Sequence, residues 1–170
     1  YARLHIPSGW GSTIVRSRCV WNRVHVMHPD WMEKNMATRD LAQRILEIGS
    51  FDGFEFDCQP IPGEIELLQV TVSEFEDLPV FVSVTDNQIL CITYLFAESA
   101  LDPAQRSDIL EEMLTLNIPM PLSSFAKIDD RYVVFGALAI GSGIEEICHE
   151  LITLTENCAE ALLALEEYLK

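Results

Sequence analysis

Two stretches constrain the fold more than any others. "QILCITYLF" (88–96), read as an extended strand, is apolar on both sides: Ile89, Cys91 and Leu95 on one, Leu90, Ile92, Tyr94 and Phe96 on the other. "YVVFGALAI" (132–140) is apolar throughout. Their β-branched and aromatic residues favour strands over a buried helix. A strand that is apolar on both faces needs cover on both faces. Either the helices divide between the two sides of the sheet, or part of one face, or the second helix, is covered by a second copy or another protein.

The remaining elements follow from periodicity and punctuation. Thr38 is a good N-cap for "RDLAQRILEIG", in which Leu41, Ile45 and Ile48 share a face and Gly49 supplies the stop. "SFDGFEFDCQPIPG" reads as a loop with at most a short extended piece near Phe54 and Phe56, closed by Pro60, Pro62 and Gly63. Strands are predicted over 64–72, 78–86 and 88–96, the last two flanking a turn at Asp86-Asn87. Asp102 and Pro103 open a second helix with the stripe Ile109, Leu110, Met113, Leu114, ended by Asn117 and Pro119. Two strands meeting at Asp129-Asp130 come next. After Gly141-Ser142-Gly143, a last helix runs from Ile144 to Lys170, with glutamates opposite its apolar face. The order α-β-β-β-α-β-β-α describes an α+β protein with a five-stranded, largely antiparallel sheet.

The formal charge of −16 over 170 residues argues against nucleic acid and anionic membrane surfaces, and makes a basic partner the natural counterpart. No apolar run reaches the length of a membrane helix, so no direct membrane insertion is expected. The five cysteines include no C-x-x-C pair, a pattern suited to reduced core thiols in the cytoplasm.

Residues 1–35 stand apart from the rest. They hold all three tryptophans and three of the four histidines, and five basic residues against two acidic ones make their charge +3, leaving −19 for the remainder. We take residues 36–170 as a single α+β domain. The opening segment is then an upstream or vector-derived extension, a basic arm folding onto the acidic body, or a metal site at His25 and His28, which lacks a third ligand nearby.

Three motifs suggest chemistry and none holds up. Ser124-Phe-Ala-Lys127 spells the S-x-x-K of serine acylases, but prolines at 119 and 121 and the turn at 129–130 point to a strand. Residues three apart on a strand face opposite ways. His149-Glu150 is half of H-E-x-x-H, with Thr153 where the second histidine belongs; Cys148 is expected inward and His149 and Glu150 on the solvated face. Gly141-Ser-Gly143 lacks phosphate-loop spacing, and Glu145 and Glu146 already occupy the positive end of the helix dipole. No cofactor or metal is expected; the many carboxylates read as solvated helix faces, and no pair of them is singled out by an apolar setting.

"LPVFVSVTDNQILCITYLF" and "LNIPMPLSSFAKIDDRYVVFGAL" resemble the YjfI family of uncharacterised bacterial proteins, and the element order is similar to the YbjN and type III secretion chaperone-like fold. The resemblance covers about residues 37–170. It implies an acidic, cytoplasmic, non-enzymatic protein-binding module, chaperone- or adaptor-like, and a homodimer is compatible with it. The partner it implies is a phage-shock-protein-A-like coiled-coil protein of a membrane-stress system. Phe81, Tyr94, Leu110 and Leu114 are the contact candidates. The alternatives are a serine hydrolase using Ser124 and a small-ligand-sensing regulator.

Overall fold

The computed structural model describes residues 38–170 except residue 64. The opening segment, with His25 and His28, lies outside the described residues. Helix α1 (Thr38–Ile48) is followed by strands β1 (Ser50–Phe51), β2 (Phe54–Ile61), β3 (Leu67–Val72), β4 (Val80–Val84) and β5 (Gln88–Ala97). Helix α2 (Arg106–Leu116), strands β6 (Ser124–Ile128) and β7 (Arg131–Ala139), and helix α3 (Ile144–Leu165) complete the order. The strands form one antiparallel sheet in the order β1-β2-β3-β4-β5-β7-β6.

The sheet therefore has seven strands where five are expected. The extra pair comes from the stretch read as a loop. Asp52 and Gly53 take positive φ values of 50° and 92°, the combination a two-residue hairpin turn requires. Pro60, read as a loop signal, lies inside β2 opposite Leu68. There β2 is paired only with β3, since β1 reaches no further than Glu55, so the missing proline N–H can point to the open side.

Register sorts the sheet into two faces. Leu68, Val70, Val82, Ile89, Cys91 and Val134 lie on one face and join Leu41 and Ile45 of α1 and Ile147, Leu151 and Leu154 of α3 in one buried cluster. Further along the same face, Phe96 and Tyr132 pack with Ile109 and Met113 of α2 and Leu165 of α3. Among the described residues the three α-helices thus cover a single face. The arrangement with helices split between both sides is not the one adopted.

Phe96 departs from simple alternation. Tyr94 pairs with Val133 but Phe96 pairs with Tyr132, so Leu95 is an extra residue in β5. This bulge moves Phe96 from the face of Tyr94 to the helix face, where its ring lies 5.2 Å from that of Tyr132.

The helix ends also differ from expectation. The Asp102 side chain and carbonyl accept from the Ala104 and Gln105 N–H groups, closing a turn, and α2 begins only at Arg106. The last helix stops at Leu165; Glu166–Tyr168 form one 3-10 turn, and Leu169 bridges to Leu101. At its start the Glu146 carboxylate accepts from the Gly143 N–H at 2.7 Å, satisfying one of the unpaired amides of the first turn.

Candidate functional site: the open sheet face

On the side away from the helices, rows of residues cross the strands. Gln69, Phe81, Ile92, Phe135 and Ser124 form one row, Leu67, Ser83, Leu90 and Ala137 a second, and Tyr94, Val133 and Ala126 a third. Phe81, Leu90, Ile92 and Phe135 are partly exposed, and Tyr94 is 39% exposed. Among the described residues no helix covers them. The Phe81 ring meets the Tyr94 ring edge-on at 5.7 Å, and the Arg131 guanidinium stands 6.0 Å above Tyr94.

The four contact candidates fall into two patches. Phe81 and Tyr94 belong to the open face. Leu110 and the 70%-exposed Leu114 flank a cleft of about 270 Å³ between α2 and the edge strand β6, together with Met113, Phe125 and Tyr132. That cleft opens on the helix side of the sheet. Phe135 and Ala137 extend the open face without having been singled out; their alternation with Val134 and Gly136 is the signal that locates them.

Ser124 and Lys127 do not meet. Ser124 pairs with Phe135 on the open face and Lys127 with Tyr132 on the helix face. Lys127 is instead committed to Glu98, whose carboxylate also accepts from Arg106 Nε at 2.6 Å and from the Tyr132 hydroxyl at 2.8 Å. These donors, Lys127 foremost, hold the Glu98 carboxyl down at about 2 against an ordinary 4.5. The lowered value means that the cluster stabilises the fold above about pH 4.5 and loses that contribution as pH falls toward 2. A carboxyl-carbon NMR titration is expected to find Glu98 ionised well below its ordinary value of 4.5 and to move it upward in Lys127→Met. Titration of Glu98 near 4.5 in the unsubstituted chain would contradict the geometry.

Glu150 is the main correction to the sequence reading. It is not on the solvated face: it is 2% exposed, although its neighbour His149 is exposed. Its Oε1 has no hydrogen-bond partner, and burial pushes its carboxyl above the ordinary range. The side chain fits because it packs against Gly136, where a Cβ would lie 1.6 Å from Oε1. Nearby, Asn157 of α3 donates to the Pro121 carbonyl and the Ser123 hydroxyl, tying α3 to the loop before β6. Cys91, Cys148 and Cys158 are free and buried, Cys58 free and partly buried; burial raises the Cys158 thiol to about 12, which suits packing rather than reactivity. Among the described residues no His, Cys, Asp and Glu group could hold a metal ion, and no helix is long and apolar enough to cross a membrane.

The chain is similar to several known proteins. The uncharacterized protein YjfI of Escherichia coli K12 is 27% identical over 105 residues, covering 59% of this chain and 77% of YjfI. Among solved structures, an uncharacterized protein from Methanothermobacter thermautotrophicus superposes with a TM-score of 0.57 at 12% identity, over 78% of this chain and 99% of that one. YbjN of E. coli does so with a TM-score of 0.55 at 14% identity, over 76% and 91%. The ExoU-SpcU complex of the Pseudomonas aeruginosa type III secretion system superposes less well: TM-score 0.44, 12% identity, 72% and 94% coverage. The model of DUF2170, described as an uncharacterized protein conserved in bacteria, matches residues 35–169, and the chain belongs to that family.

Proposed function

We propose that this protein is a chaperone- or adaptor-like binding module that shelters an apolar segment of a partner protein on its open sheet face. One observation carries the reading: among the described residues the three α-helices all cover one side, leaving Phe81, Leu90, Ile92, Tyr94 and Phe135 partly exposed on the other. Contiguous apolar surface of this kind marks interaction sites on soluble proteins. The catalytic alternative loses its base, since Lys127 faces away from Ser124 and is bound to Glu98. For the partner, the sequence resemblance supplies a phage-shock-protein-A-like coiled coil, whose apolar stripe could lie on such a face; a cytoplasmic setting and a homodimer belong to the same proposal.

A photo-cross-linking residue placed at Ile92 tests this in native bacterial cells, with the same residue at exposed Glu156 of α3 as the control. The expected result is an adduct of defined mass at position 92 and none at 156. No adduct at 92, or the same adducts at both positions, would overturn the reading.

A further inference from the structure

The open face is not electrically uniform. At one end, Asp77 of the turn before β4 and Asp129 and Asp130 of the β6–β7 turn surround the rings of Phe81 and Tyr94 in a groove of about 530 Å³. Among the described residues these three carboxylates have no hydrogen-bond or ion-pair partner, and Arg131, the one cation lining the groove, sits over Tyr94. The groove therefore combines aromatic surface with two negative charges beyond what its own arginine offsets. Arg131 shows that a guanidinium fits against this ring.

We propose that this end of the open face binds a basic side chain of the partner segment, an arginine or lysine whose aliphatic stem lies on Phe81 and Ile128 and whose charged head meets Asp77, Asp129 and Asp130. The inference rests on the protein-binding reading of the face and names the chemistry of what docks there. A cation gains from the ring face and from the carboxylates together, while the apolar stem covers ring surface that a free ion could not. A second copy is a poor occupant of this acidic end, so a homodimer would have to pair through another surface. Seated here, the copy would bring a body of the same strongly negative charge against this rim, and like charges across an interface are costly. A basic segment is drawn toward the face by the same field, so its association should be fast and weakened by salt.

The test uses the full chain and two short fluorescent peptides, one alternating valine with arginine and the other alternating valine with glutamine, with binding read by anisotropy. The arginine peptide is expected to bind at least about tenfold more tightly at low salt, a difference of about 1.4 kcal/mol. High salt should remove most of that advantage. In Asp77→Asn/Asp129→Asn/Asp130→Asn the two peptides should bind within about threefold of each other, a residual difference under about 1 kcal/mol. Asparagine is chosen because Asp129 sits at φ 50°, a conformation asparagine also tolerates. Equal binding of both peptides to the unsubstituted chain would overturn the basic-residue proposal and leave the binding face standing. So would arginine-peptide binding that survives the triple substitution but is lost in Phe81→Ser. Failure of both peptides to bind at all would overturn the proposal and the binding-face reading with it.

Discussion

Gly136→Ala is expected to cost about 1–3 kcal/mol of stability, the scale of overpacking a closed core, although it adds only a methyl group. The new Cβ would lie 1.6 Å from Glu150 Oε1, 2.8 Å from its Cδ and 3.3 Å from the Leu122 carbonyl oxygen. The strand is held between β5 and β6, so the glutamate must move. Removing the obstacle should restore tolerance: Gly136→Ala combined with Glu150→Ala should lose less than the two single losses added together, by about 1 kcal/mol or more. Denaturant midpoints for the four proteins of the cycle measure this, and strict additivity would show that the two residues do not touch.

The same site has a pH signature. Burial raises the Glu150 carboxyl in the folded chain, so the protonated form is favoured there. Its contribution is complete below the unfolded value near 4.5 and is lost as pH rises through the folded value. Glu150→Gln, which carries no charge at any pH, should therefore gain on the unsubstituted protein as the buffer goes from acidic to alkaline. A stability difference independent of pH would show that the carboxyl titrates in solvent.

The second large effect separates two phenylalanines. Phe96→Ala should cost about 3–5 kcal/mol, as for a ring removed from a filled core, because Phe96 is 9% exposed against Tyr132, Ile109 and Met113. Phe81→Ala should cost under about 1.5 kcal/mol, since a partly exposed ring gives up only part of the burial contribution. Urea denaturation of each variant decides the matter. Equal losses would mean that the face bearing Phe81 is covered after all.

Sequence patterning located most of this fold. The i, i+3, i+4 stripe of α1 and the extended character of β3, β4, β5 and β7 follow from side-chain direction and β-propensity, which are local. So does the separation of Ser124 from Lys127. Two errors share a cause. The prolines after Asp52-Gly53 hide the hairpin from a sequence reading, because whether a proline can stand in a strand depends on whether the neighbouring edge is occupied. Strict alternation places Phe96 on the wrong face because it cannot register an inserted residue such as Leu95. For the candidate site, the sequence showed apolar character on both sides of β5 and a strong negative charge. It did not show that Asp77 joins Asp129 and Asp130 beside Phe81, residues about fifty positions apart in the chain.

By itself, then, the amino-acid order located the three α-helices and five of the seven strands, and showed that β5 and β7 carry apolar residues on both faces. Only the tertiary structure decided which surface stays open, and that Glu150 enters the core opposite a residue without a side chain. The physical reason is that propensity and periodicity act over a few residues, whereas burial is set by whatever the folded chain brings alongside from far away in sequence.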